Sequence, residues 1–358
     1  MMATVRVGAS LAFGSERARR LHAEAPPIDL HTDSLLWTRL GGYDVNRRHR
    51  PPLPGAAFFG HVDVPRALEG GMGAFFLGLV SFPHLDRSCR RAVERTLDCF
   101  ERACAESEGK LRAARSAEDV EAANRDGVLA GLLGIEGAHA LEGDVDAVDA
   151  FARRGVRYLG LLHFTANACG APQRGLGQGA DEPLTEFGRE VIARCEATGV
   201  IVDLAHINAR GFEDACAAAK RPPIVSHAGL LGVHASWRNV PDAHVRRIAQ
   251  LGGVLGVIFC PRYLGRDGIE GVVAHLEHLL DVGGEDVPAL GSDWDGFIVP
   301  SRGLEEPQKL PLLTDALLAR GHTERVVRKI LRENALRVLR EVPPRVPPPK
   351  AADSAGAA

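Results

Sequence analysis

No CxxC pair occurs among the seven cysteines, and an odd number cannot all close into disulfides within one chain. Free thiols in a reducing compartment are the simpler reading, which points to the cytoplasm. No stretch approaches the roughly 18 consecutive apolar residues of a spanning helix, so no membrane association is expected. The start, MMATVRVGASLAFGSERARR, carries its basic residues behind a short apolar run, whereas a secretory signal has them in front. No basic block stands out either. With 43 basic against 46 acidic residues and a net charge of −3, a nucleic-acid footprint is lacking. The one Gly-rich candidate for a phosphate loop, RGLGQGADE (174–182), follows no strand directly and lacks the Walker lysine, so it reads as an ordinary loop.

What is present is material for one large core. The chain has 358 residues, 45% of them hydrophobic, and 40 glycines for tight connections. Short, near-continuous apolar runs recur at 27–31, 72–80, 129–137, 156–164, 199–206, 222–227, 252–259 and 287–293, as parallel strands covered on both faces require. Longer amphipathic stretches lie between them, among them DRSCRRAVERTLDCFERACAESEGKLRAARS and LTEFGREVIARCEATG. The second has an apolar stripe at Phe187, Val191, Ile192 and Cys195 and a C-cap at Gly199. About eight βα units in one chain is the arithmetic of a (β/α)8 TIM barrel; periodicity alone does not separate it from a doubly wound open sheet. A last helix is expected from about His322 to Val342. Residues 1–342 then form a single catalytic domain, and the Pro- and Ala-rich segment 343–358 is expected to be a disordered tail.

The polar residues carry the functional signal through their positions. His31 and Asp33 end the first apolar run, Glu136 the third, His163 the fourth, His206 the fifth, His227 the sixth and Asp293 the eighth. Catalytic groups of such barrels come from the C-terminal ends of several strands, which converge on one rim. Histidine and carboxylate without cysteine suit catalytic zinc, manganese or cobalt rather than a structural zinc. His31 and Asp33, separated by one residue, would face the same side of a strand and could bind one ion together. Two histidines from adjacent strands could hold a second, with Glu136 bridging. Two ions about 3.5–4 Å apart can share a hydroxide, and Asp293 would remain as the proton shuttle.

Each residue also has a plainer reading. A second HxD, His61-Val62-Asp63, precedes an apolar run rather than ending one and reads as structural. Asp295 is a rival to Asp293 within GSDWDG; Asp293 is preferred because it lies nearer the strand end. His139 falls past the expected turn and reads as a supporting or structural group. A Cys–His nucleophile using Cys169 or Cys260 would leave the other strand-end groups without a role.

The segments IDLHTD, DVPRALEGGMGAFFLGLV, GIEGAHAL, GVRYLGLLHFTAN, LTEFGREVIARCEATGVIVDLAHI, IVSHA, RNVPD and GSDWDG resemble, in order, the motifs of the membrane (renal) dipeptidase family, peptidase family M19. The likeness spans roughly residues 28 to 340. It implies a TIM-barrel metal-dependent hydrolase with two zinc ions per chain and a dipeptide as substrate. His31 and Asp33 would bind the first zinc, Glu136 would bridge with a hydroxide, and His206 and His227 would bind the second. His163 would stabilise the oxyanion, Arg238 would hold the substrate carboxylate and Asp293 would act as general acid/base. The residues alone do not separate Arg238 from a surface loop arginine. The resemblance leans towards a homodimer, and no counterpart of the animal enzymes' signal peptide or lipid anchor is expected. Ala138, Ala205 and Trp294 depart from the family's usual residues without removing a ligand. Hydrolysis of another small amide or lactam is the alternative, and a non-catalytic metal-binding barrel a remote one.

Overall fold

The computed structural model describes residues 13–179 and 181–347. Eight strands, β1 (Ile28–Thr32), β2 (Ala74–Val80), β3 (Leu129–Glu136), β4 (Val156–Gly160), β5 (Ile201–Asp203), β6 (Ile224–Leu230), β7 (Val254–Val257) and β8 (Pro288–Leu290), pair in parallel, each with the next. β8 pairs back onto β1 through Asp29 and Leu290, which closes the sheet. With helices between the strands, this is a (β/α)8 barrel, and the open-sheet alternative falls away. Every apolar run of the sequence overlaps one barrel strand. Two short strands are additional: Leu111–Ala113 flanks β3, and Asn239–Val240 pairs with the end of β6.

Alternation along each strand builds two cores. Ile28 and Leu30, Ala74 and Phe76, Ala130 and Leu132, and single residues such as Tyr158, Ile201 and Ile224 pack together with Ala335, Leu336 and Leu339 of the last helix. These side chains fill the lumen and its bottom. The intervening residues, among them Phe75, Leu77, Leu133 and Val202, pack in a larger layer with the helices. The lumen becomes polar toward the C-terminal ends: Ile201 is followed two residues later by Asp203, Ile224 by Ser226, and Leu132 by Gly134 and Glu136.

Helices follow their local signals. Thr185 caps the helix Glu186–Thr198, which ends at Gly199 with φ 75° and its N–H on the Cys195 carbonyl. The long stretch after β2 holds one helix, Cys89–Glu106, and then leaves it for the strand Leu111–Ala113. The last helical segment runs Glu324–Arg328, a π turn at Lys329–Glu333, and Asn334–Glu341. Of the expected tail, residues 343–347 lie against the body: Arg345 N–H donates to the Thr198 carbonyl, and Arg115 donates to the Val346 carbonyl. The tail therefore does not start at 343; residues 348–358 lie outside the described ones. No helix among the described residues is long and apolar enough to cross a membrane.

Candidate metal centre

The strand-end residues converge on one rim. His31 lies in β1 and Glu136 ends β3, His227 lies in β6, while His163, His206 and Asp293 each stand three residues beyond a strand. Two register shifts fall beside them, at Asp29/Thr32 and Val225/Ala228, and such irregularities re-aim side chains at barrel rims. His206 and Asp293 have positive φ of 65° and 62°, a conformation costly for non-glycine residues and concentrated at functional sites. All seven site residues predicted at or just beyond the strand ends are buried, and Arg238 joins them at 2% exposure.

Glu136 is the hub. Its Oε1 lies 3.0 Å from His206 Nε2, 3.5 Å from His227 Nε2 and 3.7 Å from His31 Nε2; its Oε2 is 3.6 Å from His163 Nε2. His31 Nε2 is also 3.3 Å from Asp33 Oδ1 and 3.9 Å from Asp293 Oδ1. Three groups bring ligand atoms within 4.8 Å of one another: His31, Asp33 and Glu136; Glu136, His206 and His227; His31, His227 and Asp293. The third shows Asp293 within reach of a ligand role that its position in the sequence did not suggest.

The donors fit a divalent cation. His31 Nε2, Asp33 Oδ1 and Glu136 Oε2 are buried without a hydrogen-bond partner, and buried polar atoms seldom stay so. Burial, followed by the charge of Asp33, holds the Glu136 carboxyl well above its usual range. Burial likewise pushes Asp293 up to about 8. Burial works to lower His31, but Asp33 and Glu136 outweigh it and hold the imidazole up to about 10. Crowded acids that keep protons in this way are what a cation would discharge. Burial drives His206 and His227 well below the ordinary histidine range, leaving them neutral as ligation requires. His163 is lowered by burial to about 3 and is a neutral hydrogen-bonding group.

The supporting contacts include residues the sequence reading passed over. Tyr158 reaches across the lumen from β4 to place its hydroxyl 2.6 Å from His31 Nδ1. Gly134 makes the room, since a Cβ there would lie 2.0 Å from the Tyr158 ring. Asp29 Oδ1 accepts the N–H groups of His31 and Ser292, tying β1 to the loop after β8. Asp203 Oδ1 accepts those of Ala205 and Ser226 in the same manner, and the Ser226 hydroxyl contacts both Asp203 Oδ2 and His227 Nδ1. The available signal was an acid inside an apolar run, PIDLH and IVDLAH, which is costly to bury unless hydrogen-bonded.

The rivals separate cleanly. Asp295 accepts from the Ser34 hydroxyl and the His61 and Val62 amides, so it pins the loop while Asp293 faces the cavity. His61 thus supports Asp295, and Asp63 caps the helix Val64–Glu69 and pairs with Arg66. His139 contacts the Thr165 carbonyl, outside the ligand groups. All seven cysteines are free thiols. Burial pushes those of Cys169 and Cys260 up to about 12 and about 11, against a nucleophilic role. Arg238 is buried because Asn239 anchors its loop, donating to the His234 and Tyr263 carbonyls. Its Nη2 donates to the His227 carbonyl at 2.6 Å and lies 3.2 Å from His206 Nε2.

The model of the membrane dipeptidase family (peptidase family M19) matches residues 15–345. The chain belongs to this family. It is a metallo-dipeptidase, a hydrolase of peptide bonds, by that membership. Among similar solved structures, a dipeptidase of family M19 is 29% identical with a TM-score of 0.79, over 88% of this chain and 98% of that one. A metallopeptidase from Rhodobacter sphaeroides, solved with a phosphinate mimic of L-Ala-D-Ala, is 27% identical with a TM-score of 0.78, over 88% of this chain and 99% of that one. An amidohydrolase from Pseudomonas aeruginosa is 25% identical with a TM-score of 0.75, over 91% and 98%.

Proposed function

We propose that the protein is a binuclear zinc dipeptidase acting on free dipeptides, with His31 and Asp33 holding one ion, His206 and His227 the other, and Glu136 bridging. The observation that carries this reading is the sharing of one carboxylate: Glu136 belongs to both ligand groups, His31–Asp33 on one side and His206–His227 on the other. Two zinc ions bound there would supply Lewis acidity for the scissile carbonyl and an acidified, bridging water as nucleophile.

The remaining work falls to the chain. Neutral His163, beside Glu136, donates its Nε2–H to the oxyanion that develops on the carbonyl. Asp293 takes a proton from the attacking water and hands it to the leaving amine; its buried carboxyl holds a proton more readily than an ordinary aspartate. Arg238 presents a planar fork that matches a carboxylate, so the substrate's C-terminus is held and longer peptides are disfavoured.

Glu136→Gln is expected to bind fewer than two zincs per chain and to lose most turnover; two bound zincs with full activity would overturn the assignment. A panel of L,L and L,D dipeptides tests the substrate. Cleavage of free dipeptides but not of C-terminally amidated ones supports Arg238 as the clamp. If two metals bind and no dipeptide is cleaved, the second reading takes over: hydrolysis of another small amide or lactam, in keeping with the similarity to the Pseudomonas aeruginosa amidohydrolase.

A further inference from the structure

We infer that the site selects dipeptides whose N-terminal residue carries a bulky apolar side chain, an inference that rests on the dipeptidase reading. The cavity over the metal-facing residues is about 490 Å³. Its charged and histidine lining consists of Asp33, Glu136, His163, His206, His227, Arg238 and Asp293, all of which already have roles in the proposed chemistry. The rest of the lining is apolar apart from Tyr263 and Gly296. Of ten exposed large hydrophobic residues among those described, four belong to this one cavity: Leu40, Leu85, Phe164 and Phe297, between 42% and 81% exposed. A lone exposed leucine signifies little, but a cluster at the mouth of a site marks a binding surface.

Ring order decides which end of the substrate meets the apolar wall. Arg238 follows β6, and in a closed ring of eight sequential strands β6 stands opposite β2. Leu36 and Leu40 lie on the helix Ser34–Gly41 after β1, and Phe82 and Leu85 on the loop after β2. A dipeptide held by its carboxylate at Arg238 and crossing the metal-facing residues therefore points its N-terminal residue at this wall. The wall is braced from behind. Arg39 pairs with Asp86 at 2.9 Å and also donates to the Val80 carbonyl, while Asp86 accepts the Phe82 N–H. That largely buried pair ties the helix to the loop and occupies the nearby carboxylate, which does not line the cavity. A preformed apolar surface gains from burying a leucine or phenylalanine side chain; a charged side chain would lose water there and find no counter-charge.

The test is kcat/KM of the zinc-loaded protein on a series Xaa-Ala and Xaa-D-Ala, with glycine, leucine, phenylalanine, aspartate or lysine first. Leucine and phenylalanine are expected to exceed glycine by about tenfold or more, with aspartate and lysine below glycine. In a Leu40→Ser/Leu85→Ser double variant the phenylalanine-to-glycine ratio should fall, a readout that general loss of folded enzyme does not move. Equal or better cleavage of the charged substrates overturns the inference alone, as does an unchanged ratio in the variant. Cleavage of no dipeptide at all, with two metals bound, overturns the dipeptidase reading and this inference with it.

Discussion

His31 can offer an ion only one ring nitrogen, and Tyr158 decides which. With Nε2 aimed at Asp33 and Glu136, the imidazole proton belongs on Nδ1, where it is donated to the Tyr158 oxygen. Tyr158→Phe keeps the ring that fills the space over Gly134 but removes that acceptor. It is expected to weaken zinc binding by about 10–100-fold, read by competition with a chromophoric chelator, while the folded state persists. Unchanged affinity would show that packing alone orients His31. At this scale the sequence was legible for the residues that converge on the site and poorly legible for those that support them. His31, Glu136, His206 and His227 stand out as polar residues closing apolar runs. Tyr158 lies in mid-run and looks like core, because only the closed barrel brings β4 within reach of β1.

Elements were read well where one local signal dominates. The helix Glu186–Thr198 has its stripe and its Gly199 stop in the places the sequence assigns, and Thr185 caps its start. Gly199 also does something no local pattern shows: a Cβ there would lie 2.1 Å from the Pro343 carbonyl oxygen, in a residue of φ 75°. Gly199→Ala should therefore lower stability by about 1–3 kcal/mol, seen as a lower urea midpoint. An unchanged midpoint would mean that segment 343–347 yields freely. The segment's placement was missed because its prolines carry no periodicity; it is held by the Val346 carbonyl accepting from Arg115 and by the Arg345 amide. The stretch after β2 misled in the opposite sense, since charged residues continue past Glu106 while the backbone turns at Glu108 and Gly109, both of positive φ.

Closure joins distant parts of the molecule, and His22 shows the consequence for acid stability. Its ring, fully buried, lies 2.9 Å from the Gly70 carbonyl and 2.8 Å from the Thr314 hydroxyl, linking the helix Glu16–Glu24 to the turn before β2 and to the helix Pro311–Ala319. Burial lowers its pKa from 6.5 to about 4. A histidine depressed in the fold contributes stability above its unfolded pKa and loses it as pH falls from about 6.5 through about 4. The loss is on the order of 3 kcal/mol once the ring is charged in both states. Thermal melts of metal-free protein between pH 7 and 4 should show this fall, and His22→Gln should flatten it. An equal slope in both proteins would assign the acid sensitivity to other groups.

By itself the sequence determined a parallel α/β fold of eight units, because eight apolar runs separated by amphipathic ones require strands covered on both faces; the pairing of β8 with β1 made it a closed barrel rather than an open sheet. The sequence also picked out the histidines and acids that the fold gathers around one cavity, since such residues at the ends of buried strands are costly to leave unpartnered. It preferred Asp293 to Asp295, two residues apart in one loop, by distance from the strand end, and the tertiary structure supplied the physical reason: Ser34 and His61 claim the second and leave the first facing the cavity. Tertiary structure alone buried Arg238 and set it across the ring from Leu40 and Leu85. Those relations depend on which strands stand opposite one another, a property of the closed ring that no interval along the chain records.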